Sequence, residues 1–189
     1  MHFASDKLRA ARMRRRWHPG ARGNAAGFTI IELFVALAVS AILLSIGVPS
    51  FTEMIRSTRL SSTMNQLTSD LYAAKGEAIK RNSRVLVCAR ASSPANTCAN
   101  STDWTSGWLV CFDADANGSC DASTSANPNP LIDRRAIQAS LKLTGPATPV
   151  TFTSTGPTVA AAVLSLKGTW SSAPTKQATV ALTGYIGTS

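Results

Sequence analysis

Two hydrophobic rhythms divide the chain. From Phe28 to Val48 apolar residues run almost unbroken, and Glu32 is the only charge in the stretch. At 1.5 Å rise per residue these positions make a helix of about 31 Å, close to the thickness of a bilayer core. After Pro49 the run gives way to a stripe. Leu60, Met64, Leu67, Leu71, Ala74 and Ala78 recur at alternating spacings of four and three, which sets them on one helix face. Arg56, Arg59, Asp70, Lys75, Glu77, Lys80 and Arg81 are assigned to the remaining circumference. The pattern predicts one long helix from Phe28 to about Arg81, its first half in a membrane and its second laid on a domain, ended by Asn82-Ser83. The taper of the stripe from Leu to Ala predicts closer packing near its C-terminal end.

Beyond residue 84 the rhythm shortens to strands. Val85–Ala89, Trp108–Phe112, Leu131–Ile137, Val150–Thr153, Val159–Leu166 and Ala178–Leu182 are β-like segments separated by Ser, Thr, Asn, Pro and Gly. Residues 92–106 and 121–130 read as polar loops within the domain. The predicted fold class is α+β, a long N-terminal helix packed on an antiparallel β-sheet domain, without internal repeat or second globular domain.

Charge sharpens this picture. Lys7, Arg9, Arg12, Arg14, Arg15, Arg16 and Arg22 all precede the apolar run, a bias that keeps the N-terminus cytoplasmic and exports the remainder. A secretory peptide would carry a shorter apolar core and a small-residue cut after it; here Ala25-Ala26-Gly27 comes before the run. A carboxylate near lipid costs roughly 2.5–3.5 kcal/mol on insertion scales, so Glu32 calls for a partner and a function.

The basic leader, the Gly27-Phe28 junction and a Glu four residues beyond the Phe resemble the class III signal of type IV pilins and pseudopilins. The resemblance implies that a prepilin peptidase cuts between Gly27 and Phe28, that Phe28 becomes an N-methylated terminus, and that Glu32 is the assembly carboxylate. Pro49 stands where that family carries a helix-bending proline. The implied division is a cleaved leader over 1–27, a transmembrane and filament-core helix over 28–48, an amphipathic continuation over 49–84 and a periplasmic β-rich domain over 85–189. Leu33, Leu37, Ala41 and Leu44 are the expected helix–helix contacts. Met13 offers an alternative start that keeps the leader basic.

Cleavage also changes what composition means. The chain carries a formal charge of +9, but the residues after Gly27 hold twelve bases against nine acids, a net charge of +3. Both histidines, His2 and His18, lie in the leader. No imidazole remains for acid–base chemistry or metal ligation, so the expected role is structural, not enzymatic, with no cofactor and no metal.

Cys88, Cys98, Cys111 and Cys120 all fall on the exported side, where disulfides form. Four cysteines allow three connectivities. Sequential pairing, Cys88–Cys98 and Cys111–Cys120, ties two strands to the polar loops that follow them, and it is the expected one. Spacings of ten, thirteen and nine contain no close Cys-x-x-Cys pair, which argues against zinc.

The segment Asp103-Trp104-Thr105-Ser106-Gly107-Trp108-Leu109-Val110-Cys111-Phe112-Asp113, followed by Asn117-Gly118, resembles a strand of GspH/FimT-type minor pilins and pseudopilins. That resemblance implies a subunit at or near a filament tip in type IV pilus assembly. Its partners would be other minor and major pilins or pseudopilins, the prepilin peptidase and the inner-membrane assembly platform. The expected location is the bacterial inner membrane, single-pass with a periplasmic C-terminal domain, and after assembly the pilus or pseudopilus. A GspH-like pseudopilin of type II secretion is the alternative, and a pilus-associated DNA-binding subunit of natural transformation is the second. The family pattern tied to DNA binding is a C-terminal Gly-Arg-x-Arg. This chain has Gly184-Tyr185-Ile186-Gly187 there, without either arginine, which argues against nucleic acid. Arg134-Arg135 and the Lys75, Lys80, Arg81 and Arg84 group are the other cationic candidates, with Trp170 and Tyr185 as stacking groups. Asp113-x-Asp115-x-Asn117-Gly118 matches the opening of an EF-hand loop, but Thr124 holds the place of the bidentate Glu. A turn is the expected reading, with Asp121 as a further oxygen donor for a calcium site of other geometry.

Overall fold

Thr29 starts the helix. Its hydroxyl accepts the Glu32 amide at 3.3 Å, and its carbonyl accepts the Leu33 amide at 3.2 Å. This is one arm of a capping box, in which Thr at the N-cap meets Glu three residues on. Helix α1 accordingly spans Ile30–Lys80, two residues later at its start than the apolar run implies. Its other end closes as a Schellman motif. Asn82 adopts a positive φ of 49°, the Ser83 amide reaches the Ala78 carbonyl at 3.1 Å, and the Asn82 amide reaches Ile79 at 3.3 Å.

The structure, a computed structural model, describes residues 27–92, 97–125 and 128–189. The leader and Met13 therefore lie outside the described residues. Two compact units divide the chain, one ending at Ser45 and one beginning at Ile46. In the first, every described residue is exposed, including Phe28, Phe34 and Leu37. Its two described serines are satisfied within the helix: Ser40 donates to the Ala36 carbonyl and Ser45 to that of Ile42, each at 2.7 Å. Helix α1 holds a stretch long and apolar enough to cross a membrane.

In the second unit the stripe is the core. Leu60, Met64, Leu67, Leu71, Ala74 and Ala78 are all buried. They pack with side chains from two four-stranded antiparallel sheets, in keeping with the expected helix on an antiparallel β-sheet domain. The first sheet contains β1 (Val85–Ala89), β2 (Trp108–Phe112), β3 (Ile132–Arg134) and β5 (Val150–Phe152), ordered β3-β2-β1-β5. The second is ordered β4-β6-β7-β8, from β4 (Leu141–Thr144), β6 (Ala162–Gly168), β7 (Thr175–Val180) and β8 (Ile186–Thr188).

The two sheets bury their faces differently. In β6 the pattern alternates, with Leu164 and Leu166 inward and Val163 and Lys167 outward. In β1 and β2 every residue is buried. Val85, Val87, Trp108 and Val110 face the core, while Leu86, Cys88, Leu109 and Cys111 occupy the alternate positions. The structure bonds Cys88 to Cys98 and Cys111 to Cys120. The sulfurs of Cys98 and Cys120 lie 3.6 Å apart, so the two bridges stand side by side and hold their loops over that second face. Removing one, as Cys111→Ser with Cys120→Ser, is expected to cost about 2–3 kcal/mol for a loop of this length. Denaturant unfolding of the purified full chain in detergent measures it.

Three segments differ from their sequence reading for identifiable reasons. The expected strand 131–137 stops at Arg134, because Ile137 turns to donate to the Thr105 carbonyl at 3.0 Å. Residues 158–159 pair with the first sheet, Thr158 bridging Phe152, so β6 begins only at Ala162. A tight turn from Ala181 to Tyr185, with Gly184 at φ 75°, shortens the end of β7 and launches β8.

Candidate functional site

Gly27 has no atom near the place a Cβ would occupy, and Phe28 beside it is 82% exposed. Both precede the first helical residue and lie open on the chain. Glu32 follows in the first turn, where the helix dipole favours a negative charge. Among the described residues it forms no ion pair. Leu33, Leu37 and Leu44 are exposed on the same helix, as is Ala41. Pro49 falls within α1 and has no amide to donate to the Ser45 carbonyl one turn back.

The second unit is anchored by a contact the periodicity misassigned. Asp70 belongs to the buried set, at 3% exposure, not to the solvated circumference. Its carboxylate accepts from Trp108 Nε1 at 2.9 Å, from Arg134 Nε at 2.8 Å and from Arg134 Nη2 at 3.0 Å. The three residues come from α1, β2 and β3, so one carboxylate ties the helix to two strands. Hydrogen bonding to Asp70 raises the Arg134 pKa. Gly107 makes this arrangement possible. It sits at φ 105°, and a Cβ there would strike the Arg134 carbonyl. Gly107→Ala is therefore expected to cost about 1–3 kcal/mol of stability, read from its unfolding midpoint.

The remaining cationic candidates are dispersed. Lys75 donates to the Gly184 carbonyl at 2.9 Å, while Lys80 and Arg81 both reach Glu77. Arg81 also lies over the Phe112 ring, and Arg84 is 3.8 Å from the buried Asp113 carboxylate. Trp170 meets Arg56 at 5.9 Å, and Tyr185 is exposed beside Gly184. These cations serve the domain's own contacts and do not form one open basic face.

Asp113, Asp115 and Asp121 bring their oxygens within 4.8 Å of one another. Those oxygens are directed at the backbone of the turn. Asp113 accepts from Gly118 at 3.2 Å, Asp115 from Asn117 at 3.2 Å, and Asp121 from Ala114 at 2.8 Å. Gly118 supplies the positive φ of 81°. Burial pushes the Asp113 pKa up. Because its folded pKa exceeds the unfolded value, stability rises as pH falls through the folded value. Asp113→Asn is expected to flatten that rise in unfolding measured across the carboxylate range.

The fold and these sites can be set beside known proteins. The family model for the type II transport protein GspH matches residues 63–184, from the second half of α1 to the turn before β8. The chain belongs to the GspH family. GspH-type chains are minor pilins and pseudopilins of type IV pilus and type II secretion machines, a structural family whose members associate with other pilins. Two crystal structures of the type IV minor pilin FimU from Pseudomonas aeruginosa are similar to this chain. One is 18% identical over 72% of this chain and 90% of FimU, with a TM-score of 0.49. The other is 15% identical over 68% and 91%, with a TM-score of 0.48. A search of curated proteins by sequence finds no match.

Thr29, Asp70 and Trp108 are the residues that sequence reasoning passed over as anchors. The spacing Thr29-x-x-Glu32 signals the cap. Asp70 gave a weaker sign, an acid directly beside Leu71 and three residues from Leu67 of the stripe.

Proposed function

We propose that this GspH-family chain is a minor pilin that takes part in type IV pilus assembly at or near the filament tip. The observation that carries this reading is the exposed apolar first half of α1, whose one carboxylate, Glu32 in the first turn, forms no ion pair among the described residues. In this account a prepilin peptidase removes residues 1–27 and Phe28 is methylated. Residues 28–48 hold the chain in the inner membrane, and the domain faces the periplasm. Glu32 then meets the Phe28 amine of a neighbouring subunit when the helix leaves lipid, so two costly charges neutralise each other. Pro49 separates the membrane segment from the amphipathic continuation over 49–84 and the β-rich domain over 85–189. The role is structural, with minor and major pilins and the assembly platform as partners.

Intact-mass and N-terminal analysis of the protein from its native host tests the first step. The expected mature chain begins at methylated Phe28. An uncleaved leader, or a cut beyond Val48, would contradict it. Gly27→Leu is expected to block cleavage and leave the full-length mass.

A second reading, the equivalent pseudopilin of a type II secretion system, is favoured by the description of the matching family as a type II transport protein. Loss of exported enzymes, with pili unchanged, in a strain lacking this chain would support it over the pilus.

A further inference from the structure

A groove of about 360 Å³ opens between α1 and the segment leaving β3. Arg59, Thr63 and Gln66 line it from the helix, and Arg134, Arg135 and Gln138 from the other side, with Trp108 between them. The lining is rich in donors and contains no carboxylate. Of its three guanidiniums, only Arg134 is neutralised, by Asp70 outside the groove. Arg59 and Arg135 are exposed and form no ion pair among the described residues. Two free planar forks facing one depression suit bidentate binding of carboxylates.

We propose that this groove receives an acidic segment of a neighbouring pilin subunit, clamped by Arg59 and Arg135. The inference rests on the assembly reading above. Size and charge favour a peptide over nucleic acid. Backbone binding of a nucleic acid draws on many cations and weakens steeply with salt, whereas this groove offers two free ones, and the chain after Gly27 carries only +3. The position also suits a subunit contact, because Arg59, Thr63 and Gln66 lie on a flank of α1 that the domain core does not cover.

The test places a photo-crosslinking residue at Gln138 of the full chain in its native host, with one at Leu37 as a second probe. Gln138 is expected to capture an Asp/Glu-rich segment of a pilin, identified by mass spectrometry. Arg59→Glu combined with Arg135→Glu is expected to lower that capture at least tenfold. Changing the captured carboxylates of the partner to lysine is expected to restore it, a rescue that a misfolded variant would not show. Capture of a segment without acids, capture of nucleic acid, capture unaffected by charge reversal, or failure of the lysine rescue would each overturn the groove proposal. If Gln138 captures no pilin while Leu37 does, the groove proposal fails and the assembly reading stands. If neither captures a pilin, the assembly reading fails and takes the groove with it.

Discussion

Glu32→Ala is expected to leave the protein processed, membrane-inserted and folded, yet to remove it from filaments. The carboxylate lies in the first turn of α1 and belongs to neither the buried core cluster nor the disulfide-bonded set, so its loss is expected to leave the sheets and the disulfides intact. What it removes is the partner for a neighbour's amine. Breaking one side of a charge pair in a low-dielectric setting typically costs 3–5 kcal/mol. At 1.4 kcal/mol per decade this is a loss of roughly two to three and a half orders of magnitude in incorporation. Glu32→Asp keeps the charge on a shorter arm and is expected to retain part of it. Immunoblots of sheared pili against the membrane fraction, with and without each substitution, measure the effect. Equal amounts of wild type and Glu32→Ala in the pilus fraction would contradict the role given to this residue.

The second large effect concerns stability. Arg134→Ala is expected to destabilise the domain by about 3–5 kcal/mol, since it strands a carboxylate that is almost wholly buried. Asp70→Asn is expected to cost less, about 1–3 kcal/mol. In that variant the Arg134 side chain, 39% exposed, turns to water, and the new amide still offers an oxygen to Trp108. The order of the two costs carries the argument, because a surface ion pair would lose little from either change. Unfolding of both variants in denaturant, followed by tryptophan fluorescence, gives the comparison. Equal and small losses would show that Asp70 does not bind α1 to β2 and β3.

Much of the fold was legible because it is written in periodicity. The stripe from Leu60 to Ala78 reads at helical spacing, and all six of its residues enter the core. β1 and β2 read as continuous apolar runs because both of their faces are covered, one by the core and one by the disulfide-bound loops. Short strands escaped. Leu141–Thr144 has only two inward residues, and Ile186–Thr188 contains a glycine, so neither stands out from the loops around it. The split into two sheets depends on long-range pairing, such as that of β1 with β5, where Val85 lies opposite Phe152, which no local pattern encodes.

The candidate site was legible in part for a related reason. A lone Glu in an apolar run is conspicuous, since membrane-length segments rarely carry one. Asp70 was not, because a charged residue beside a helical stripe ordinarily faces water. Its burial depends on Arg134, sixty-four residues further on, arriving in β3. The same pairing explains why Arg134-Arg135 is not a simple basic doublet. Arg134 belongs to the core network, and Arg135 to the open groove.

The central claim is that the apolar half of α1 packs against other pilins once it leaves the membrane. Photo-crosslinking from Leu37 in the native host tests this most directly. The account predicts capture of minor or major pilins through their own N-terminal helices, lost when Glu32 is replaced by alanine. Capture of lipid alone, or of unrelated membrane proteins, would mean the helix is an anchor and nothing more.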